Sequence, residues 1–374
     1  MISRLLLIGT LLIATLTAFA QASFSVKYEY APITFPGARI TTVNGINNSN
    51  VIVGYYFDSQ DNVHGFMYNA GKYTAINYPK ATLTQVLGIN DNGDIVGVYQ
   101  LSGALNFHGF LRHNGSFTSI DDPAAKIGTT AFGINNAGTI VGSYDNAQGF
   151  VYDKGAYRTL NAPQMAGEPH QTQLNGINKL GWIVGQVFTR GIWRGFWVEN
   201  GQFHFIEPAG SRDSQAMGIN GHNDVAGCHD AEKGFVSFAV GNFGGPGDAL
   251  KFPPEEPVAS CISSINFARA IVGNFFTVKN SGAFLGVPAI TLKVSSPSNE
   301  TTVSNPVHVV STATGLKPIS RIEIWVNFKK VFQVKSGTLD AHLKIPTGSE
   351  ERFAVKAIDA KGRTTKVVDA ITVH

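Results

Sequence analysis

One short phrase recurs six times in this chain, and it constrains the fold more than any other feature. Gly-Ile-Asn, a turn and Ile-Val-Gly return about 43 residues apart, counted on the second glycine. The glycine pairs are Gly45/Gly54, Gly88/Gly97, Gly133/Gly142, Gly176/Gly185 and Gly218/Gly227, and a degenerate sixth copy has Ser264/Gly273. A fixed period of this length is typical of a solenoid or a propeller and not of an ordinary globular domain.

Each repeat unit reads as four short strands. In the second unit, apolar residues 86–89 and 95–99 flank a tight turn at 90–93, and residues 108–112 and 117–120 supply two further strands around an Asn-Gly turn. No part of the unit shows a sustained helical period. Four antiparallel strands in about 40–45 residues predict a propeller blade, which must stack on neighbours to bury both faces.

The two ends of the array predict how it closes. Residues 30–36 resemble the fourth strand of a unit, as in 73–79, whereas the sixth unit has only three strands before the composition changes at Pro288. We therefore predict an all-β chain with a six-bladed β-propeller over residues 23–287, closed by its N-terminal strand. Closure of this kind removes an open sheet edge, which would otherwise favour aggregation.

Two sets of repeated side chains have a structural and a functional interpretation. A Phe in each third strand either packs between neighbouring blades or stacks on a ligand, and we favour packing. The repeat Asn either contributes to a ring of side chains or hydrogen-bonds its own turn, and we favour the turn. The residues are Phe66, Phe110, Phe150, Phe196, Phe235 and Phe284, and Asn47, Asn90, Asn135, Asn178, Asn220 and Asn266.

Residues 1–22 are typical of an export signal. Arg4 precedes the apolar run 5–16, and small residues near position 20 provide a cleavage site. The run is too short to span a membrane, and a buried N-terminal helix is the alternative. We expect a secreted protein, periplasmic, extracellular or associated with the cell surface, that does not insert into a membrane.

Residues 288–374 alternate like the strands of an immunoglobulin-like β-sandwich, with about seven strands and Trp325 as the expected core aromatic residue. This segment has 12 Lys and Arg against 7 Asp and Glu, a net charge of +5, whereas residues 23–287 carry −3. Charges of opposite sign could favour docking of the two domains. The lysines are dispersed and match no nucleic-acid recognition motif, so we predict no nucleic-acid partner.

The chain has only two cysteines, Cys228 and Cys261, expected near the same end of adjacent blades. An exported protein meets oxidising conditions, so these two residues could form a disulfide or remain unpaired. A metal site built from them and His229 lacks a third and a fourth ligand at suitable spacing. We predict no metal and no other cofactor.

The repeat phrase, followed by His-Gly-Phe, resembles the HAF family of extracellular repeats. The residues that match are 135–142 and the tripeptides at 64–66 and 108–110, and the resemblance spans roughly residues 37–287. In units three, four and five Gln148, Arg194 and Lys233 replace the histidine, which argues against a catalytic role for it. The resemblance implies an exported repeat protein and assigns no reaction. The C-terminal segment is similar to bacterial immunoglobulin-like modules, which implies a spacer or an adhesive unit.

The longer loops between blades and between second and third strands should lie on one face, where a site is expected. Catalytic candidates there are Glu168, His170, Arg212 and His229, and ligand-binding candidates are Arg190, Trp193, Asp213 and Asp230, with Asp58, Asp61 and Asp145 as further polar residues. A Glu/His/Arg group could support acid–base chemistry or bind a charged sugar. The simpler interpretation, solvated loop residues, is the one we favour.

Taken together, these features predict a secreted or cell-surface binding or adhesion protein whose propeller face docks an extracellular glycan or protein. The alternative is a lyase or hydrolase acting on extracellular polysaccharide, and a purely structural envelope protein is a third possibility. Convergence of three or more catalytic candidates in one funnel would favour the enzyme. The sequence contains no nucleophile elbow, phosphate loop or zinc motif.

Overall fold

The computed structural model describes residues 28–145, 148–163, 171–208, 210–231, 234–240, 259–277, 281–298, 301–315, 317–345 and 348–374. Within these ranges every regular element is a β-strand, so the predicted all-β class is confirmed. The expected export signal, residues 1–22, lies outside the described residues. Among those that are described, no helix is long and apolar enough to cross a membrane.

The strands of the repeat region form six successive groups, which we call sheets 1 to 6. The chain starts with β1 (Tyr28–Ile33). Sheet 1 has β2 (Ile40–Ile46), β3 (Ile52–Phe57), β4 (Val63–Asn69) and β5 (Lys72–Ile76), and sheet 2 has β6 (Ala81–Ile89), β7 (Ile95–Leu101), β8 (His108–His113) and β9 (Ser116–Ile120). One parallel strand pairing, Val63 of β4 opposite Leu83 of β6, links the backbones of sheets 1 and 2.

The remaining groups follow the same order. Sheet 3 has β10 (Thr129–Ile134), β11 (Ile140–Tyr144), β12 (Gln148–Asp153) and β13 (Ala156–Thr159), and sheet 4 has β14 (Gln171–Ile177), β15 (Ile183–Thr189), β16 (Ile192–Glu199) and β17 (Gln202–Ile206). Sheet 5 has β18 (Ser214–Ile219), β19 (Val225–Ala231) and β20 (Gly234–Val240), and sheet 6 has β21 (Ala259–Ile265), β22 (Ile271–Phe276) and β23 (Ser281–Pro288).

The N-terminal strand supplies the fourth strand of sheet 6. β1 pairs antiparallel with β23 over six residues, from Tyr28 opposite Pro288 to Ile33 opposite Ala283, and the sheet order is β1-β23-β22-β21. The Tyr28 hydroxyl also donates a 2.9 Å hydrogen bond to the main-chain oxygen of Arg269. The start of the described chain is therefore built into its last repeat.

Buried apolar clusters connect the sheets in sequence. One cluster lies between each sheet and the next, and another contains Ile33 and Val272 of sheet 6 together with Val43 and Phe66 of sheet 1. Contacts therefore run from sheet 1 to sheet 6 and back to sheet 1. Each sheet buries apolar side chains against its neighbours. Burial of apolar surface is the main favourable contribution to the free energy of folding.

Close backbone approach explains the glycines of the repeat. A Cβ added to Gly133 would lie 3.0 Å from Gly176 Cα of the next sheet, and one added to Gly142 would lie 2.0 Å from Thr130 O. The first glycine thus lets first strands of neighbouring sheets converge, and the second lets strands within one sheet pack under a Phe ring.

The Phe residues predicted to pack are buried, with one correction. Phe66, Phe110, Phe150 and Phe196 are 0% exposed and Phe284 is 2% exposed. In unit five the equivalent residue is Phe238, 1% exposed and opposite Gly227, and Phe235 is only half-buried. The prediction of Phe235 was wrong because β19 turns into β20 with Ala231 directly opposite Gly234, which shifts the register.

A buried hydroxyl joins successive sheets and was missed in the sequence. Four residues before the first glycine position, every unit has a Thr or Ser: Thr41, Thr84, Thr129, Thr172, Ser214 and Ser260. The first four hydroxyls accept a main-chain N–H from the end of the preceding unit, such as Tyr78 N to Thr84 Oγ1 at 3.0 Å. The Phe35 N–H donates to Thr41 in the same way, so the chain after β1 meets sheet 1 as the ends of units one to three meet sheets 2 to 4.

Residues after Pro288 form two further sheets that pack face to face. The strands are β24 (Ile290–Ser296), β25 (Thr301–Val303), β26 (Val307–Gly315), β27 (Ile319–Val326), β28 (Lys329–Val334), β29 (Thr338–Leu343), β30 (Gly348–Asp359) and β31 (Thr364–Val373). One sheet has the order β24-β26-β29 and the other β25-β31-β30-β27-β28. Their shared core contains only residues of this segment.

The core aromatic residue of this segment is Phe353 and not Trp325. Phe353 is 0% exposed, as are Ile322 and Ile324 on the neighbouring strand β27. Because side chains alternate across a strand, Trp325 lies on the opposite face, where it is half-buried. The prediction of Trp325 as the core residue was therefore wrong, because the neighbours of Trp325 on β27 face the core. An ion pair between Arg363 of this segment and Glu29 of β1 links it to sheet 6.

Candidate functional site

The six repeat Asn side chains link the turns of all six sheets. In each case Oδ1 accepts main-chain N–H groups of its own turn, as at Asn135, where Ala137 N and Thr139 N lie 3.1 and 3.0 Å away. This confirms the prediction that the Asn residues hydrogen-bond their turns. The same amide uses Nδ2 to reach the next repeat, so the alternative interpretation, a ring, holds as well.

The ring of amides is continuous. Each Nδ2 donates to the main-chain oxygen of the Asn in the next unit. The distances are 3.1 Å (Asn47 to Asn90), 3.0 Å (Asn90 to Asn135), 3.3 Å (Asn135 to Asn178), 3.1 Å (Asn178 to Asn220), 3.1 Å (Asn220 to Asn266) and 3.0 Å (Asn266 to Asn47). These buried donors and acceptors satisfy one another, which avoids the free-energy cost of unpaired polar groups.

The ring encloses a cavity of about 150 Å³, which we call the axial cavity. Its lining includes the residue that follows each repeat Asn, and these six residues form what we call the rim: Asn48, Asp91, Asn136, Lys179, Gly221 and Phe267. The rim positions differ in chemistry although the surrounding phrase repeats. The cavity therefore has a polar half in units one to three and a cationic and aromatic half in units four to six.

The polar half is held rigid by its own hydrogen bonds. Asp91 accepts the Asn48 N–H at 2.8 Å on Oδ1, and the Asn48 and Asn136 side-chain amides at 2.8 Å each on Oδ2. Charge-assisted bonds of this kind are stronger than neutral ones. Three N–H groups therefore fix the position of the Asp91 side chain.

The other half presents an exposed aromatic ring. Phe267 is 41% exposed, the His222 ring stacks on it at 3.9 Å, and Lys179 Nζ lies 5.3 Å from its centroid. Desolvation lowers the pKa of His222, and the charges of Arg269 and Lys179 act in the same direction while Asp224 opposes them. The imidazole is therefore neutral at pH 7 and offers both a hydrogen-bond donor and an acceptor beside the ring.

The predicted loop residues meet at the boundary between sheets 4 and 5. Asp213 Oδ1 accepts the Trp193 N–H at 2.6 Å, and Asp230 Oδ1 accepts the N–H groups of Arg212 and Asp213 at 2.7 and 2.8 Å. His229 Nδ1 lies 2.7 Å from the main-chain oxygen of Asp230. The described contacts among these candidates run through main-chain atoms, so the carboxylates stabilise the loop.

Among the described residues, the other loop candidates Arg190 and Asp145 do not join this group. Glu168 and His170 lie outside the described residues. Arg190 is exposed and adopts a positive φ of 52° between β15 and β16. Asp145 accepts the N–H groups of residues 126–128, as Asp230 does for its loop. Of the four catalytic candidates, the structure describes only Arg212 and His229. The prediction that three or more of them converge in one funnel is therefore not tested.

The histidines of the His-Gly-Phe tripeptides pair across strands. His64 Nδ1 lies 3.1 Å from Asn77 Oδ1, and His108 Nδ1 lies 3.1 Å from Asp121 Oδ2. The same positions in units three and four hold the pairs Gln148/Asn161 and Arg194/Glu207. In unit five the register places Val236 here, so Lys233 is not the equivalent residue. Across the described residues, no group of three His, Cys, Asp or Glu side chains could hold a metal ion.

The two cysteines link adjacent sheets. Cys228 of β19 and Cys261 of β21 form a disulfide across 33 residues of sequence, and Cys261 lies within its strand and not in the preceding loop. The disulfide covalently joins sheets 5 and 6, on either side of residues 241–258.

Sequence reasoning missed the rim residues Lys179 and Phe267, and His222 beside them. The available signal was the position after each repeat Asn, which changes in chemistry from copy to copy within a repeated phrase. Such a change indicates that the position is free of the constraints that maintain the fold.

No family model matches the chain. No curated protein matches it in sequence either. Among solved structures it is similar to the extracellular domain of a proposed hybrid two-component system from B. thetaiotaomicron (13% identity, TM-score 0.42, 91% of this chain and 53% of that one). The chain spans about half the length of that domain. Two further similar structures are a proposed gluconolactonase (11%, 0.42, 71% and 94%) and a fucose-specific lectin from Aleuria aurantia (9%, 0.38, 68% and 97%). At these TM-scores the likenesses assign neither a fold nor a function.

Proposed function

We propose that the chain is an exported binding protein with a six-bladed propeller, residues 23–287, closed by its N-terminal strand and followed by an immunoglobulin-like sandwich, residues 288–374. The cyclic order of apolar clusters and the continuous Asn ring support this architecture. The resemblance of the repeats to the HAF family, and residues 1–22 as an export signal, belong to the same proposal. The disulfide between Cys228 and Cys261 suits an oxidising compartment.

The ligand that we propose is a glycan bound at the rim of the axial cavity. The observation that carries the proposal is the exposed Phe267 ring with His222 and Lys179 beside it and Asp91 across the cavity. An aromatic ring packs against the apolar C–H face of a sugar, and fixed polar groups hydrogen-bond its hydroxyls. A rim with both elements fits a sugar better than a purely apolar ligand.

Binding is favoured over catalysis because the polar groups of the rim are already engaged. Asp91 accepts three N–H hydrogen bonds from Asn48 and Asn136, which fix its position. Acid–base catalysis needs a group whose pKa lies near the working pH and that can reach the substrate proton. His222, beside the rim, has a lowered pKa and stacks on Phe267.

A glycan array probed with the full chain tests the proposal, followed by calorimetry with the strongest oligosaccharide. We expect Phe267→Ala to weaken binding about tenfold or more, which corresponds to ~1.4 kcal/mol. Phe276→Ala is the matched control, because Phe276 is 57% exposed and lies outside the rim. Unchanged binding by Phe267→Ala would place the ligand elsewhere. Release of sugar fragments during the same incubation would instead indicate a lyase or hydrolase.

A further inference from the structure

We propose that the outward face of the five-stranded sheet in residues 288–374 is a second binding surface, and that its ligand is an anionic polysaccharide. This surface is independent of the rim and goes beyond the function proposed above. It is defined by Arg321, Glu323, Trp325, Lys330, Arg352, Lys356 and Lys366, and we call it the basic face.

Strand register places these residues on one side of the sheet. Glu323 of β27 is opposite Lys356 of β30, which is opposite Lys366 of β31. Trp325 is opposite Lys330 of β28. Residues directly opposite on paired strands share a face. The inward face of the same strands carries Ile322, Ile324, Phe353 and Val355, all 0% exposed.

The charge of the basic face is strongly positive. Five of its residues are cations, and the single carboxylate among its described side chains is Glu323. Glu323 is already neutralised, since Arg321 Nε lies 2.8 Å and Lys330 Nζ 3.6 Å from its Oε1. Lys356, Lys366 and Arg352 are the remaining three cations of the face, and none of them forms an ion pair with a described side chain.

Glu323 is buried beneath the basic face, where it holds Trp325 and Arg321 in position. The residue is 3% exposed, and its Oε2 accepts the Trp325 indole N–H at 3.1 Å. Burial alone would raise the pKa of Glu323, but the hydrogen bonds from Arg321 and Trp325 hold it below its usual value. The carboxylate thus fixes the orientation of the Trp325 ring and of one cation.

Two aromatic rings accompany the cations. Lys356 Nζ lies 5.9 Å from the Trp325 centroid, and Arg352 Cζ lies 4.7 Å from that of Phe328, which is 76% exposed. A sugar ring can pack on Trp325 or Phe328 while its carboxylate or sulfate meets the neighbouring cation. The face and its edge thus present two pairs of a ring and a cation.

The spacing of the cations favours a polysaccharide over a nucleic acid. Neighbouring strands lie ~4.8 Å apart, so Lys356 and Lys366 are separated by about one strand spacing. Duplex DNA carries one negative charge per ~1.7 Å of its axis. The anionic groups of a sugar polymer with one charge per residue lie farther apart, closer to the spacing of these two cations.

Affinity electrophoresis of the full chain in gels containing polygalacturonate, dextran sulfate or neutral dextran tests the proposal. We expect retardation by at least one anionic polymer and none by neutral dextran, and the first two gels distinguish carboxylate from sulfate as the recognised group. Lys356→Gln/Lys366→Gln should weaken retardation about tenfold. Retardation should decrease between 50 and 500 mM salt, since exposed charges are screened within about 10 Å at 0.1 M.

Lys293→Gln/Lys344→Gln is the matched control. It removes two exposed lysines, Lys293 in β24 and Lys344 after β29, both outside the basic face. The net charge therefore changes by the same amount as in Lys356→Gln/Lys366→Gln. Equal loss of retardation in both double variants would overturn the proposal in favour of non-specific attraction. Tighter binding to duplex DNA than to either anionic polymer would overturn it too. Phe267→Ala should leave this binding unchanged, so failure at the rim and failure at the basic face are separate results.

Discussion

The side chain of Asn266, in the last repeat, donates a 3.0 Å hydrogen bond to the main-chain oxygen of Asn47, in the first. The two residues are 219 positions apart in sequence. Asn266 Oδ1 at the same time accepts the Ala270 N–H at 2.9 Å. One buried amide thus holds its own turn and connects the ends of the repeat array.

We expect Asn266→Ala to lower the free energy of unfolding by about 2–4 kcal/mol, because several buried partners lose their hydrogen bonds at once. Denaturant unfolding followed by fluorescence measures this. Asn92→Ala is the control: its amide bonds Asn136 O at an exposed position, and a change below about 0.5 kcal/mol is expected. Equal effects of the two substitutions would contradict a special role for the ring.

The contribution of the N-terminal strand can be measured at one buried side chain. Ile33 is 2% exposed in the cluster between sheets 6 and 1, and Ile33→Ala should cost about 2–4 kcal/mol. Ile127, which is 57% exposed, provides the same substitution at the surface, where little change is expected. If Ile33→Ala is as stable as Ile127→Ala in chemical denaturation, the strand does not contribute to the fold.

The two glycines of one repeat should differ in their tolerance of alanine. A Cβ at Gly185 would lie 2.1 Å from Gln173 O and 2.8 Å from the Phe196 ring, whereas one at Gly176 would lie 3.2 Å from a Val184 methyl group. Overpacking against backbone is costly, so Gly185→Ala should destabilise by about 3 kcal/mol and Gly176→Ala by less. Thermal unfolding of both variants gives the comparison, and the reverse order would refute the packing argument.

Reduction should weaken the junction between sheets 5 and 6. The Cys228–Cys261 disulfide closes a loop of 33 residues, for which the chain-entropy model gives about 3–4 kcal/mol. We expect the Cys228→Ser/Cys261→Ser variant to unfold at lower denaturant concentration than the wild type. A reducing agent should shift the wild type and leave the variant unchanged. Mass spectrometry of non-reduced peptides verifies the linkage.

Acid should loosen the β3–β4 loop through Asp58. Its carboxylate accepts hydrogen bonds from the Asn62 side chain and from the N–H groups of Asn62 and Gln60, with a further one from His64, and these lower its pKa from 3.8 to about 2. A carboxyl whose folded pKa is depressed stabilises the fold above its unfolded pKa, and this contribution is lost as the pH falls toward 2. NMR titration of the Asp58 carboxyl should show a midpoint near 2, and a midpoint at the ordinary aspartate value of about 3.9 would contradict the prediction.

Several features could be read from the sequence because they depend on local patterns. The period of about 43 residues, the four-strand unit and the Asn-containing turns follow from turn chemistry and alternation over a few residues. The role of residues 30–36 followed from their likeness to 73–79, and β1 does pair with β23. The placement of Phe66 and its equivalents in apolar clusters followed from the same pattern in five units of six.

The predictions that failed depended on register. Phe238 takes the place expected of Phe235 because strand pairing sets Phe238, and not Phe235, opposite Gly227. Trp325 faces outward because Ile322 and Ile324 on the same strand face the core. A shift of one residue moves a side chain to the other face of a sheet, and the sequence alone does not specify the partner strand.

The repeat phrase by itself determined how many units this chain has and which residues turn the chain, since both are set by interactions over a few positions. Only the tertiary structure decided that Asn266 meets Asn47, that Phe267 lies beside His222 and Lys179, and that Glu323 neutralises part of a basic surface. Those contacts join residues that strand pairing and sheet packing bring together, and the free energy that selects them belongs to the assembled fold.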